Sequence, residues 1–288
     1  MAISLGGGGS FSAINEKKEF NSDANLITLE DGRVYLKGGV TETDTTTYPD
    51  ATKVFAYSGT YFSVAAQEVE PRDITWDGTY LWVLGGDGRD VGKYSASGAY
   101  QNVAFSVISQ DNAPTGLEWD GTHFWVVGQV TNKVYKYTSA GVYTNTSYAL
   151  SQGSNPRGIA WDGTYFWVVT NTGDAVYKYN ASFVYQNVSF SIASQDTVPT
   201  GIEWDGTHFW VVGQQNDTAY RYTAAGVYTG ESFYIGSQDG LPNGIVQVGT
   251  DLWVTGDVYN YVYKYQKQIG VDSQGGIADG NQNYVRIK

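Results

Sequence analysis

Between residues 71 and 265, apolar residues come in runs of four to nine, alternating with polar ones and cut by glycine and polar turns. No stretch holds a 3.6-residue spacing, so the pattern predicts strands and no helices. The stretch 158–199 shows the unit. "GIAW" is one strand, a. Asp162-Gly163 turns the chain, and "TYFWVV" returns as strand b. "NTGD" turns it again into "AVYKY", strand c. "NASF" then leads to "VYQNVSFSI", strand d, and "ASQDTVP" hands over to the next unit.

The unit recurs. "PTGLEWDGTHFWVVG" from Pro114 and "PTGIEWDGTHFWVVG" from Pro199 differ only at Leu117 and Ile202, and "PRGIAWDGTYFWVVT" from Pro156 is a looser copy. Trp82, Trp125, Trp167, Trp210 and Trp253 fall 43, 42, 43 and 43 residues apart. Pro71, Pro114, Pro156, Pro199 and Pro242 keep the same period, as do Tyr94, Tyr137, Tyr179, Tyr222 and Tyr265. Four short strands in about 40–45 residues is the period of a β-propeller blade. A blade cannot bury both faces alone, so each copy meets the same packing problem and solves it with the same residues. The fold expected is all-β, a propeller of five such repeats. The motif run Pro-x-Gly-Ile, Trp-Asp-Gly-Thr, Phe-Trp-Val-Val, Val-Tyr-Lys-Tyr resembles NHL-type propeller repeats over about residues 71–265. That likeness speaks for architecture, not activity.

Reading Asp-Gly as a two-residue hairpin turn with positive φ at both positions sets a register. Trp76 then faces Thr79, Thr75 faces Tyr80 and Ile74 faces Leu81. Glu118 pairs with His123 and Glu203 with His208, which gives both histidines of the chain a structural acid partner. The fifth copy is degenerate, with Gln247 and Val248 in place of Trp and Asp. For closure, "KVFAYSGTYFSVAA" (53–66) reads as strands c and d, and "GGIADGNQNYVRI" (275–287) as strands a and b. Together they make a sixth blade, the count preferred here. The alternative is five blades, with Tyr61–Ala65 as the outer strand of the last.

Residues 1–50 differ in composition: a Gly-rich arm, a hairpin "NLITLEDGRVYLKGG" and a Thr-rich linker. They form one expected domain and 51–288 the other, with 267–288 either closing the propeller or packing with the N-terminal segment. The Gly run, "LITLEDGRVYLKGG", the stretch ending "YPDA" and the closing "YVRIK" resemble the virion-attachment ends of tail fibres of marine bacteriophages. This resemblance implies a structural tail protein, located in the virion and assembled in the host cytoplasm. It docks through residues 1–50 on other tail proteins and presents the propeller to a host cell-surface glycan or protein. If "YVRIK" belongs with the attachment hairpin, it cannot also be a propeller strand.

Composition narrows the chemistry. Aromatic residues make up 15% of the 288, with 24 Tyr, 9 Trp and 36 Gly, which suits half-buried strands and tight turns. With no Cys, disulfides and thiolate catalysis are excluded. A net charge of -12 repels phosphate backbones, so nucleic acid is not an expected partner. No signal peptide is read at the start, and no run is long enough to insert in a membrane. No metalloprotease, EF-hand or phosphate-loop motif occurs. With both histidines occupied, the chain is expected not to be an enzyme and to need no cofactor or metal. Binding is expected where the copies differ, in the b–c loops: Asp87, Arg89, Asp90, Asn132, Asn171, Asp174, Gln214, Asn216, Asp217 and Asp257. The alternative is a propeller hydrolase acting on envelope polysaccharide or lactone, with Glu118 and Glu203 the nearest candidates, or a non-viral interaction module. Homo-oligomer formation is left open.

Overall fold

The computed structural model describes residues 55–267 throughout. Outside them it describes the backbone of Ser10–Ala13, Glu16–Glu19, Asn25–Thr28, Val34–Lys37, Gly270–Val271, Ile277–Asp279 and Gln282–Ile287. The contacts divide the chain into two units: Phe55–Lys267, and Met1–Val54 with Gln268–Lys288.

The first unit is a ring of five four-stranded antiparallel sheets, each in the order a-b-c-d. Blade 1 is Pro71–Trp76, Tyr80–Gly85, Asp90–Ser95 and Tyr100–Ser106. Blade 2 is Pro114–Trp119, His123–Gly128, Lys133–Thr138 and Tyr143–Ala149. Blade 3 is Ser154–Trp161, Phe166–Thr172, Ala175–Tyr179 and Tyr185–Ser191. Blade 4 is Pro199–Trp204, His208–Gly213, Thr218–Thr223 and Tyr228–Tyr234. Blade 5 takes a, b and c from Pro242–Val248, Asp251–Gly256 and Tyr261–Lys267, and its outer strand from Phe55–Ser63. There Tyr263 lies opposite Tyr61 and Tyr265 opposite Tyr57. Each strand a touches the next around the ring, blade 5 meeting blade 1.

The ring therefore closes with five blades rather than the six preferred from sequence. One strand hydrogen-bonded to the far end of the repeat array is enough to join the two ends. In the second unit, Gln282–Ile287 pairs with Val34–Lys37, Tyr284 opposite Lys37, in a five-stranded sheet. The closing "YVRI" is thus a partner of the N-terminal hairpin and not a propeller strand.

The hairpin register also departs from expectation. Trp76 pairs with Leu81, Thr75 with Trp82 and Ile74 with Val83. The loop holds four residues, 77–80, and only the glycine is left-handed: φ is +95° at Gly78 and +93° at Gly121. The cause is the aspartate side chain. Asp77 Oδ1 accepts the amides of Thr79 and Tyr80 at 2.8 and 2.7 Å, and Oδ2 accepts the indole N–H of Trp82 at 2.7 Å. Asp120 and Asp162 do the same for Trp125 and Trp167. A carboxylate that satisfies two loop amides and a buried indole makes the longer loop the stable one. The shift of two leaves every side chain on its face but changes its partner.

The core lies between blades. Trp82 meets Phe124 at 4.8 Å between ring centroids, Trp125 meets Phe166 at 4.9 Å and Trp167 meets Phe209 at 4.7 Å. At the closure Phe55 packs edge-on against Trp210 at 5.3 Å. Each of these contacts adds about 0.5–1.5 kcal/mol beyond burial. Every blade also lays the Lys or Arg of strand c over its strand-b Trp, from Lys93 on Trp82 to Lys264 on Trp253. At the axis neighbouring strands approach so closely that a Cβ on Gly201 would meet the carbonyl oxygen of Asn243 within 2.4 Å.

Candidate functional site at the ring axis

With the register settled, Glu118 lies opposite Trp125 and Glu203 opposite Trp210, so neither is paired with a histidine. His123 stands opposite Thr138 with Nδ1 4.0 Å from Asp120, and His208 shares a hydrogen bond with the Thr207 hydroxyl. Strand a lines the axis, and the glutamate position reads Thr75, Glu118, Ala160, Glu203 and Val246 around the ring. The polar members reach to the next inner strand. Thr75 Oγ1 accepts the Trp119 amide at 3.2 Å and Glu203 Oε1 the Gln247 amide at 2.9 Å; Glu118 accepts from the Trp161 amide.

A third acid joins them. Asp73 sits two residues before Thr75, 1% exposed, and accepts amides from Ile74 at 2.9 Å and Leu117 at 2.8 Å. Its equivalents in the other blades are all glycine: Gly116, Gly158, Gly201 and Gly244. Among the described residues none of the three acids has a cationic partner.

Burial governs how they ionise. It raises Glu203 from 4.5 to about 8, against the pull of the Gln247 and Trp204 amides. It also holds Glu118 well above the usual carboxylate range, with the charges of Glu203 and then Asp73 adding to the effect. Asp73 is likewise held well above the usual carboxylate range by burial, with a smaller push from Glu203. A charge on Glu203 favours the protonated forms of Glu118 and Asp73. Buried acids held above the usual carboxylate range can take and give protons near neutral pH. Glu118 is 9% exposed and Glu203 somewhat more. Among the described residues no group of three or more His, Cys, Asp or Glu is placed to hold a metal ion.

The residues expected to bind in the b–c loops fall into three sets. Arg89, Asn132, Asp174 and Asp217 occupy one left-handed turn position, with φ between 45° and 55°. Their carbonyls accept the amides of Val107, Leu150, Ile192 and Ile235, fastening each loop to the end of its own strand d. Asn216 donates to the Gln195 carbonyl at 2.9 Å, Asp87 is exposed, and Asp90 adds its charge to buried Glu68. The other three, Asn171, Gln214 and Asp257, share a ring position where strand b ends, near the start of the next blade's strand a. Gln214 donates to Asn243 Oδ1 at 2.9 Å, and Asp257 lies 3.9 Å from Arg72. Sequence reasoning missed Asp73, Arg72 and Arg157. The signal was present: stacking the five copies shows one aspartate where four glycines stand.

The fold defines the chain as a five-bladed β-propeller. No family model matches the sequence, and no curated protein matches it. Among solved structures it is similar to the glutaminyl cyclase of Myxococcus xanthus, with a TM-score of 0.59 at 8% identity over 74% of this chain and 96% of that one. It is also similar to a streptogramin B lyase, TM-score 0.45 at 17% identity over 90% of this chain and 86% of that one. The virginiamycin B lyase of Staphylococcus aureus gives 0.43 at 18% identity, over 98% and 93%. At these identities the likeness concerns the fold. Nothing in the comparisons supports a virion origin. The expectation that the chain is not an enzyme is corrected: the ring matches that of an enzyme, and the histidine pairing that set its glutamates aside does not form.

Proposed function

We propose that this chain is an acid–base enzyme, a propeller hydrolase or lyase that breaks a polar bond of a substrate entering the ring axis. The observation that carries this is the axial trio Asp73, Glu118 and Glu203: buried or half-buried, without a cationic partner among the described residues, and each held above the usual carboxylate range. Glu203, once ionised, takes a proton from water or from the substrate. Glu118, kept neutral by that charge, gives one to the leaving group. A match to a structure named glutaminyl cyclase is consistent with such a ring housing catalysis.

The substrate classes to try are envelope polysaccharides and lactones. Product release should rise with pH through about 8 and fall at least tenfold in Glu203→Gln, which keeps an acceptor for the Gln247 amide but cannot titrate. Equal rates in wild type and variant would remove the trio from the chemistry. Saturable binding to either class without turnover would make the ring a recognition module.

A further inference from the structure

At the residue after the strand-a proline the ring reads Arg72, Thr115, Arg157, Thr200 and Asn243. The three small residues sew the blades together. Thr115 and Thr200 donate to the carbonyls of Pro156 and Pro242 at 2.9 and 3.0 Å, and Asn243 donates to that of Pro71 at 3.0 Å. The two arginines are set up alike, since the residue before the proline is left-handed in both blades, φ +56° at Glu70 and +57° at Asn155.

Their surroundings differ in charge. Arg72 is neutralised twice, by Glu70 at 2.5 Å and by Asp257 of the preceding blade at 3.9 Å. The equivalent positions around Arg157 are Asn155 and, in its preceding blade, Gln129. These two amides bond to each other, Gln129 Nε2 to Asn155 Oδ1. Arg157 is left without a counter-ion among the described residues, and its Nε is buried without an acceptor. Burial, and then the charge of Arg72, lower the affinity of this guanidinium for its proton. An uncompensated half-buried cation is costly, and its planar donors match a carboxylate.

We propose that Arg157 is the anchor for a carboxylate on the substrate of the axial site. This rests on reading the axial acids as a reaction centre. Arg157 lies three residues before Ala160, the glutamate position of its own strand, with a bulge between Pro156 and Ile159, so the anchor stands roughly 7–10 Å along the strand from the level of Glu118 and Glu203; Asp73, the counterpart of Gly158, lies nearer its own level. The substrate is therefore a small acid, or a chain ending in one, whose labile bond lies about that far from its carboxylate. In a protein of net charge -12, an anionic substrate needs such a local cation.

The test uses the full chain with 15N-labelled arginine and succinate as the probe. The Arg157 Nε–H resonance, identified by its loss in Arg157→Gln, should shift saturably with succinate, in Glu203→Gln as in wild type. Asn155→Glu supplies in place the acid that Arg72 has in Glu70, and should weaken succinate about tenfold or more while the ring stays folded. No saturable shift, unchanged affinity in Asn155→Glu, or tighter binding of sulfate than of succinate would overturn the proposal. Succinate binding in a chain that turns over nothing supports the anchor and removes only the enzyme reading. Turnover that depends on Glu203, with no succinate binding, removes only the anchor.

Discussion

Replacing Glu203 by Gln should change how stability depends on pH, and the size follows from the axis. In the unfolded chain this carboxyl titrates near 4.5, and in the ring at about 8. Between those values the folded state holds a proton that the unfolded state has lost. The stabilisation from that proton is complete below about 4.5 and disappears as pH rises through about 8. One bound proton gives a slope of about -1.4 kcal/mol per pH unit, so the full window is worth at most about 5 kcal/mol. Glu203 is not sealed from water and shares its titration with Glu118, which brings the expected figure to about 2–3 kcal/mol. The glutamine variant keeps the bond from the Gln247 amide and lacks the slope. Reversible urea unfolding at pH 5, 6, 7, 8 and 9 reads the difference. The two proteins should agree within about 1 kcal/mol at pH 5, with the variant gaining steadily to about 2–3 kcal/mol at pH 9. Comparing the two cancels the general repulsion of an acidic chain. A difference that stays flat across this range would show that Glu203 titrates normally, and the acid–base reading would lose its base.

Asp120→Ala removes the acceptor of the Thr122 and His123 amides and of the Trp125 indole, and should cost about 2–4 kcal/mol in a thermal or urea melt. Gly201→Ala drives a methyl into the Asn243 carbonyl and the Gly244 backbone, which are not flexible side-chain ends. It should cost about 2–3 kcal/mol by the same measurement. Glu68 is also raised to about 8, mainly by burial, and one of its oxygens has no partner, so Glu68→Gln should flatten the pH dependence of stability in the same direction as Glu203→Gln. Deleting residues 55–63 leaves strand c of blade 5 as an open edge; soluble yield should fall sharply and self-association should appear in size-exclusion chromatography.

The repeat was legible because stacking makes the same demand in every blade: Trp82, Trp125, Trp167, Trp210 and Trp253 each pack in one inter-blade layer. The closing strand was legible too, though by a finer mark. Every strand d bulges at one residue with positive φ: Asn102, Asn145, Asn187 and Gly230. Each follows a tyrosine by two, and "YSG" at Tyr57–Gly59 repeats the "YTG" of Tyr228–Gly230, with φ +83° at Gly59 and +88° at Gly230. That match places Phe55–Ser63 as a fifth strand d and leaves no outer strand for a sixth blade. The hairpin register was harder to read, since Asp-Gly serves both a two-residue and a four-residue loop. The choice depends on where the carboxylate finds donors, and the Trp82 indole that decides it lies five residues further along the chain.

The axial site escaped a residue-type search for a physical reason. Catalytic motifs are sought as spacings within one segment, but a ring brings together single residues from copies about 43 apart. The chemistry proposed for it is written as departures from the repeat. Close approach of inner strands demands glycine two residues after the strand-a proline, so Asp73 there displaces a packing solution that four blades share. Small donors sew the blades at the residue after that proline, so Arg72 and Arg157 each forfeit a stitch. A ring that gives up packing and stitching at the axis, in some blades and not others, has those residues placed against its own stability. The two arginines separate the possibilities. Arg72 is compensated on the spot by two acids, as a structural charge must be. Arg157 is flanked by amides that turn to each other instead, and a cation left so is a demand for an anion from outside.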